Sequence, residues 1–325
     1  MDKHASGVSV DDALRFDPNA EIERICRFIQ DEVRQRNAHG VLLGLSGGLD
    51  STTCAYLLAR TLPKDQVFLM LLPERDSSAQ ISQSARNTAK ALGFPFSEKN
   101  LEELFELVGL YRIVSQQTAG DRQTLEKGAR IIQRLSGSAL LFGWAQRYAF
   151  VQRHGLAARV MRQWLWAYAG RTQAFILGKL RARMLVLSTQ AELFDSLLIC
   201  TTDRSEWSVG FYDPLGDGAG DLAPLRHLYK TQIRALARAV GVPEEIITRP
   251  SSGDLAAGLP NEVALGVTYE HLDRVLAGFA LGLGEVEIAR QAGVSRALVR
   301  DIRASCETAD LRRRLPRGLE NPQAH

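Results

Sequence analysis

The sequence has 325 residues, of which 45% are hydrophobic and 24% charged, as is typical of a folded globular protein. Its length allows one large domain or two small ones, and a formal net charge of +3 is too small for a protein that coats nucleic acid. The cysteines are far apart and form no C-x-x-C pair, which argues against zinc ribbons, iron–sulfur clusters and a disulfide scaffold. Because the N-terminus has no signal pattern and no apolar run could span a membrane, we expect a cytoplasmic protein.

The first hundred residues alternate between helical and strand patterns. Ile22, Ile25 and Ile29 recur at steps of three and four, which predicts an amphipathic helix, and short apolar runs bounded by Gly or Pro predict buried strands. The predicted elements are helix 20–36, strand 41–45, helix 51–61, strand 67–72 and helix 78–92. This alternation is typical of a doubly wound α/β domain with a parallel sheet.

Residues 110–175 break this rhythm. The segment is rich in Arg, Gln, Ala and Trp, and Trp144, Tyr148 and Val151 share one helical face. We interpret it as a helical insertion of two or three helices. It would pack against the domain or against a second copy of the chain, or alternatively serve as a lid or a partner-binding element.

The α/β pattern resumes near residue 176. A strand is expected over 197–201 and a helix over 231–240, whereas 207–226 and 249–262 are rich in Gly, Pro and polar residues and predict irregular loops. We expect a single domain over residues 1–325, with a helical C-terminal segment over 280–316.

The strongest local signal is a glycine-rich segment that directly follows the predicted strand 41–45 and opens the next helix. Backbone N–H groups at such a turn converge on an anion, and the helix dipole strengthens the attraction. The segment lacks the lysine of a Walker A loop and carries an aspartate, which suits Mg²⁺ held between a carboxylate and phosphates. Its candidate ligand-binding residues are Gly44, Ser46, Gly47, Gly48, Asp50 and Ser51.

The motif S-G-G-L-D-S resembles the PP-loop of the ATP pyrophosphatases. That superfamily includes NAD synthetase, GMP synthetase, asparagine synthetase, argininosuccinate synthetase and several tRNA-modifying enzymes. Its members cleave ATP between the α and β phosphates and adenylate a substrate oxygen. The PP-loop by itself does not choose among them.

Segments in the second half of the chain narrow the resemblance to the NAD synthetases. T-T-D-R-S-E at 201–206 resembles the family's T-G-N-[KR]-S-E, and the run at 216–225 resembles G-D-G-x-x-D-x-x-P-[LI]. Further similar segments are 210–212, 228–231, 251–255 and 265–269. Together with the PP-loop, the resemblance covers about 20–110 and 176–316, which leaves out most of the insertion.

The resemblance implies an adenine nucleotide alpha hydrolase-like fold, a homodimer, and a site that binds ATP and Mg²⁺. ATP would be bound by the PP-loop residues together with Thr201, Lys230 and Ser252, and the metal by Asp50 and Glu206. Asp50, Lys230 and Asp217 would be catalytic, Asp217 as a base that takes a proton from ammonium. Arg181, Arg183 and Asp221 would bind the acyl substrate.

The implied reaction is ammonia-dependent NAD synthesis, in which deamido-NAD⁺ is adenylated by ATP and then amidated. No Cys/His glutaminase signature is visible, so free ammonia or ammonia from a separate partner is implied. Four residues depart from the family pattern on the acyl side: Leu177 replaces Asn, Pro214 replaces Lys, and Leu259 and Asn261 replace Gln and Asp. These departures would also fit a relative that amidates a different carboxylic acid.

A third hypothesis comes from residues 287–299, which resemble a helix-turn-helix with Gly293 in the turn. The small net charge of +3 argues against a DNA-binding role. Since similar C-terminal helices occur in NAD synthetases, the ligase remains our expectation, with no nucleic acid and no membrane as partner.

Overall fold

The computed structural model of the protein describes residues 9–113, 155–252 and 260–313, and within 155–169 it describes the backbone alone. Leu259 and the predicted face formed by Trp144, Tyr148 and Val151 lie outside the described residues. Within the described ranges, no helix is both long and apolar enough to cross a membrane.

Within those ranges the sheet consists of four parallel strands in the order β3-β2-β1-β4. β1 (Gly40–Gly44), β2 (Val67–Leu71) and β4 (Ser196–Ile199) lie within one or two residues of the predicted strands, whereas β3 (Phe96–Glu98) was not predicted. Val41 pairs with Val67 on one side and Leu197 on the other, so β1 is central. The prediction of a doubly wound parallel sheet is confirmed.

The helices of the first half follow their sequence signals. α2 begins at Pro18 after the N-cap Asp17, whose side chain accepts hydrogen bonds from two backbone N–H groups, and its predicted apolar face is buried. α4 ends at Gly93, which adopts the left-handed conformation with a φ of 68°. The helices are α1 (Val10–Leu14), α2 (Pro18–Gln35), α3 (Leu49–Thr61), α4 (Ala79–Leu92) and α5 (Glu102–Leu107).

The second half contains a long helix, α6 (Gly155–Leu193), followed by shorter ones. α7 (Arg204–Val209) takes the first residues of the segment predicted to be irregular, and α8 (Lys230–Val240) lies where a helix was expected. The others are α9 (Glu244–Ile247), α10 (Asn261–Leu265), α11 (Tyr269–Ala280), α12 (Glu285–Ala292) and α13 (Arg296–Arg313).

α6 crosses the predicted boundary between the insertion and the α/β domain. The helix crosses residues 175 and 176 without a break, so its last turns, which carry Arg181 and Arg183, continue a helix that begins within the predicted insertion. No proline interrupts 155–193. At Gly178 the helix passes so close to Leu110 that a larger residue would clash, because a Cβ would stand 2.4 Å from the Cδ2 of Leu110.

Helices cover both faces of the sheet. α2, α3 and α8 pack together over one face and bury the main apolar core, while α6 lies on the other face, where Leu187 and Met184 pack against Leu42 and Leu198. A second core joins α11, α12 and α13. The helix-turn-helix pattern forms as α12, a turn at Gly293 with a φ of 68°, and α13.

Candidate functional site

The site lies at the carboxyl ends of β1 and β4. These strands are neighbours in the sheet, but the chain between them passes through β2 and β3 on the opposite side of β1. The crevice at such a change of direction is the usual ligand site of open α/β sheets. The PP-loop follows β1 and the segment 200–206 follows β4, so the fold brings the two motifs to one edge.

The backbone of the loop that follows β1 packs closely against the start of α4. Gly47 has a φ of 83°, and a Cβ there would stand 2.3 Å from the carbonyl oxygen of Ile81 at the start of α4. Only glycine therefore fits this turn. The hydroxyls of Ser46 and Ser51 lie 2.9 Å apart, and Ser51 Oγ also accepts the backbone N–H of Ser46 at 3.2 Å. Both serines and the first turn of α3 line the crevice.

A fully buried lysine lies beneath the loop. Lys230, the first residue of α8, has its Nζ 2.8 Å from Asp50 Oδ2, 2.7 Å from Asp203 Oδ2 and 3.2 Å from Glu206 Oε1. Asp203 and Lys230 are both inaccessible to solvent. The structure thus brings together Asp50, Glu206 and Lys230, which come from three separate segments, and it adds Asp203.

The charges of this cluster shift one another's pKa values. Burial, together with the neighbouring carboxylates, raises the pKa of Glu206 to about 8. Burial also raises the pKa of Asp203 to about 6, although Lys230 opposes this shift. Burial by itself would lower the pKa of Lys230, but the carboxylates outweigh it and raise that pKa well above its usual value. The lysine is therefore charged at every physiological pH.

Further buried groups fix the cluster in place. Asp273 accepts hydrogen bonds from the Ser205 hydroxyl and from the backbone N–H and hydroxyl of Thr231, which ties α7 to the start of α8. Tyr269 donates its hydroxyl to Glu206 Oε1 at 3.0 Å, and Asn261 Nδ2 lies 3.2 Å from the same hydroxyl. Asn261, one of the residues that depart from the family pattern, therefore contacts the carboxylate cluster.

A cavity of about 390 Å³ opens above the loop and extends to α6. One end is polar and the opposite wall is apolar, formed mainly by the loop after β2 and by α6. Such a division suits a ligand with a charged end and an apolar ring. The apolar wall is lined by Met70, Leu71, Leu72, Pro73, Ile176, Leu177, Leu180, Met184 and Leu187.

Most of the residues predicted from the sequence line this cavity. They are Gly44, Ser46, Gly48, Asp50, Ser51, Thr201, Glu206, Asp217, Ser252 and Arg183. Gly47 shapes the loop from behind, and Lys230 lies below the surface of the cavity. Asp217 accepts the backbone N–H of Asp213 at 2.8 Å, and burial, with Glu206 and Asp213 nearby, raises its pKa to about 7.

Three predicted or singled-out residues lie elsewhere. Arg181 forms a two-pronged ion pair with Asp213, at 2.7 and 3.2 Å, and does not line the cavity. Asp221 accepts the backbone N–H of Leu198 at 2.9 Å on the free edge of β4. Pro214 does not line the cavity either. In this chain, Arg181 and Asp221 hold the fold together rather than facing the crevice.

Sequence reasoning missed several groups. Asp203 stands where the NAD synthetase pattern has Asn, and that departure was the available signal. Tyr212 lines the cavity, and its hydroxyl is buried and has no hydrogen-bond partner among the described residues. Nothing in the sequence indicated that this hydroxyl would be buried. Its burial depends on a tertiary contact, the stacking of the Tyr212 ring on Trp207 with ring centres 4.5 Å apart.

A second buried ion cluster, also missed, supports the far wall. Lys179 on α6 is fully buried, with its Nζ 2.9 Å from Glu74 Oε1 and 2.6 Å from Asp76 Oδ2. Tyr111 donates its hydroxyl to the other oxygen of Glu74 at 2.7 Å. These contacts fasten the loop after β2 to α6 and to residues 110–112, which precede the undescribed part of the insertion.

No group of three His, Cys, Asp or Glu side chains within the described ranges is arranged to hold a metal ion. Mg²⁺, however, is usually bound by one or two carboxylates together with substrate phosphates. Asp50 Oδ1 is buried and has no hydrogen-bond partner among the described residues, and a buried carboxylate oxygen without a partner is costly unless a cation binds it. Asp50 therefore fits a magnesium ion that arrives with a phosphate ligand.

Comparisons with known proteins agree with this geometry. A sequence profile of the family described as NAD synthase matches residues 21–179 and 171–316. The NH(3)-dependent NAD(+) synthetase of Coprothermobacter proteolyticus is 32% identical over 81% of this chain and 85% of its own length, and that of Thermotoga maritima is 32% identical over 78% and 85%.

Solved structures share the fold at lower identity. The NMN synthetase of Francisella tularensis superposes with a TM-score of 0.67 at 21% identity, over 95% of this chain and all of that one. The NH3-dependent NAD synthetase of Campylobacter jejuni, solved with a nitrate ion, superposes with a TM-score of 0.61 at 20% identity, over 94% of this chain and all of that one.

Proposed function

The chain belongs to the NAD synthase family, and from this premise we propose that it is an ammonia-dependent NAD synthetase that converts deamido-NAD⁺, ATP and ammonia to NAD⁺, AMP and pyrophosphate. One observation carries the proposal. Asp50 and Glu206 converge on Lys230 at the carboxyl ends of β1 and β4, at the polar end of a cavity large enough for a nucleotide.

The chemistry requires activation of a carboxylate. Ammonia does not displace oxide from a carboxylate, so an oxygen of the carboxylate first attacks the α phosphorus of ATP, and the bond to the bridging oxygen breaks as pyrophosphate leaves with its electron pair. Ammonia then attacks the acyl adenylate, and AMP leaves. The backbone of the PP-loop and the hydroxyls of Ser46 and Ser51 would bind the phosphates, and Thr201 and Ser252 the nucleotide.

Asp50 and Glu206 would hold the magnesium ion, which supplies positive charge to the phosphates when it is bound. For Lys230 we propose a role other than direct contact with ATP. Because its ammonium is buried and surrounded by Asp50, Asp203 and Glu206, it balances these carboxylates and fixes their positions. We therefore propose that Lys230 acts on ATP through the carboxylates.

Asp217 would accept a proton from ammonium. It lines the cavity, and its pKa of about 7 lets it take up and release a proton near neutral pH. Arg183, which also lines the cavity, is the candidate contact for the acyl substrate on α6.

A second candidate function is the same adenylation with another carboxylic acid. It is favoured by Leu177, an apolar side chain in the cavity wall where the family pattern has Asn, and by Asn261, a neutral side chain beside Glu206. The adenylating half of the site would be unchanged.

A second copy of the chain is the proposed partner. The last turns of α6 expose Leu185 and Leu193, of which 61% and 70% are accessible, and Phe194 follows them. An apolar surface of this kind suits a homodimer interface. Light scattering after size exclusion would test it, and a monomer at micromolar concentration would contradict the proposal.

The decisive experiment measures pyrophosphate release by the full chain with Mg·ATP, ammonium and one acid at a time, either deamido-NAD⁺ or nicotinate mononucleotide. We expect release that depends on deamido-NAD⁺ and yields AMP, never ADP. Asp50→Asn should fold normally and lower the rate about 10³-fold, since it removes the charge that faces the metal. Release with the mononucleotide alone would favour the second candidate, and release of phosphate instead of pyrophosphate would refute both.

A variant of the acyl side separates the two candidates further. Asn261→Asp restores the family's residue beside the Glu206 cluster. If deamido-NAD⁺ is the native substrate, the change should leave kcat/KM equal or lower. A clear gain from undetectable turnover would show that deamido-NAD⁺ is foreign to the site.

A further inference from the structure

Pyrophosphate leaves with several negative charges, and the loop that binds it has no lysine. The ammonium of Lys230 lies below the loop, buried among three carboxylates that outnumber its charge. Magnesium and backbone N–H groups balance part of the charge. A further cation at the polar end of the cavity would balance more of it, and this reasoning rests on the proposed adenylation.

Within the described ranges, the lysines and arginines that line the cavity are Arg183 and Arg249. Arg183 lies on the α6 wall, where its guanidinium is 3.6 Å from Glu74 Oε1 and stands 5.6 Å from the ring centre of Phe105. Its charge is therefore partly balanced, and it is placed away from the PP-loop.

Arg249 lies at the PP-loop itself and has neutral partners. Its Nη1 donates to the carbonyl oxygen of Gly47 at 3.4 Å, and its Nη2 donates to Ser84 Oγ at 3.3 Å. Arg249 and Glu245 both line a groove beside α4, but Glu245 forms no ion pair with Arg249, and neither does any other carboxylate of the described residues. Among the residues that the structure describes, its positive charge therefore has no counter-charge beside the loop.

A second observation points to a ligand at the same place. Ser251, two residues further along, lines the cavity, and its hydroxyl is buried and has no hydrogen-bond partner among the described residues. A buried hydroxyl without a partner is unfavourable unless a ligand supplies one.

We propose that Arg249, assisted by Ser251, binds the β and γ phosphates of ATP and stabilises pyrophosphate as the bond to the α phosphorus breaks. The planar guanidinium can donate two parallel hydrogen bonds to phosphate oxygens. Since its present partners are a carbonyl and a hydroxyl at long distances, the side chain can exchange them for a phosphate at little cost. Arg249 supplies the charge that the loop lacks.

The test is direct binding of Mg·pyrophosphate and of AMP to the full chain by calorimetry, without acyl substrate. Arg249→Gln should weaken pyrophosphate binding about tenfold or more, because a charge-assisted hydrogen bond is lost, while AMP binding changes less than about twofold. Arg249→Lys should fall between, and Ser251→Ala should weaken pyrophosphate binding about threefold. Arg238→Gln, which removes an exposed arginine paired with Glu244, is the matched control and should change neither affinity.

Three results would overturn the proposal. The first is unchanged pyrophosphate affinity in Arg249→Gln, and the second is an equal loss of AMP and pyrophosphate binding in both Arg249 variants, which would indicate a general structural role. The third is absence of pyrophosphate binding to the wild-type chain. Arg249-dependent pyrophosphate binding without turnover of deamido-NAD⁺ would support this proposal and reject only the acyl substrate proposed above.

Discussion

The molecule contains two buried lysines, each in contact with carboxylates. The two clusters differ in whether every carboxylate oxygen has a partner. Lys230 lies below the PP-loop with Asp50, Asp203 and Glu206, and Lys179 lies behind the opposite wall with Glu74 and Asp76. Both ammonium groups are inaccessible to solvent. Buried ion pairs by themselves say little about function, so the difference between these clusters has to come from their remaining partners.

The Lys179 cluster is saturated. Both oxygens of Glu74 are engaged, one by Lys179 and the other by the hydroxyl of Tyr111 and the backbone N–H of Asp76. In the Lys230 cluster, by contrast, Asp50 Oδ1 has no hydrogen-bond partner among the described residues. A buried carboxylate oxygen without a partner, and not burial by itself, therefore distinguishes the cluster that we expect to bind a cation.

The largest effect should follow from Lys230→Met. The change leaves Asp50, Asp203 and Glu206 buried without a counter-ion, so we expect a loss of about 3–5 kcal/mol in the free energy of unfolding, measured by urea denaturation. Pyrophosphate release should vanish in the same variant. Lys99→Met, an exposed site, is the control and should change stability by less than about 0.5 kcal/mol. Unaltered stability in Lys230→Met would contradict the buried cluster.

Lys179→Met should have a smaller effect on stability and a different effect on activity. Arg75 and Arg183 remain near Glu74 and Asp76, so we expect a loss of about 2–3 kcal/mol. The folded variant should still release pyrophosphate, with a raised KM for ATP because the wall of the cavity is loosened, while kcat changes less. If Lys179→Met lost kcat as completely as Lys230→Met, the proposal that only the Lys230 cluster takes part in the reaction would be contradicted.

The pH dependence of kcat/KM should reflect the protonation state of Asp217. If its deprotonated form accepts the proton, kcat/KM should fall about tenfold per pH unit below its pKa of about 7. Because this pKa is raised by folding, the carboxyl group favours the folded state most at acid pH, and that contribution is lost as the pH rises through 7. Asp217→Asn should be nearly inactive and should lack this slope, and a wild-type profile that is flat between pH 6 and 8 would remove the base assignment.

The smallest effect is expected for Tyr212→Phe. The ring keeps its stacking on Trp207, and a buried hydroxyl without a partner among the described residues is removed. The ligand-free protein should therefore gain about 1 kcal/mol in thermal stability. If the hydroxyl contacts substrate, kcat should fall about tenfold in the same variant. A destabilised variant would mean that the hydroxyl is already hydrogen-bonded in the free protein.

The sequence determined the parts of this protein that are local. Apolar runs bounded by glycine or proline gave β1 and β2, because strands buried on both faces need such runs. The PP-loop could be predicted with Asp50 in place, since a glycine-rich turn between strand and helix has the same geometry wherever it occurs. β3 was missed because its residues are exposed and do not form an apolar run.

Only the tertiary structure decided which distant residues meet. Arg181 and Arg183 lie two positions apart on α6 and therefore point in different directions, one to Asp213 and the other to the cavity. In the same way, the packing of α8 against the loop after β4 places the Lys230 ammonium among carboxylates that lie far from it in the sequence. A motif fixes residue types and spacing along the chain, but which partners surround a buried charge depends on elements that are far apart in sequence.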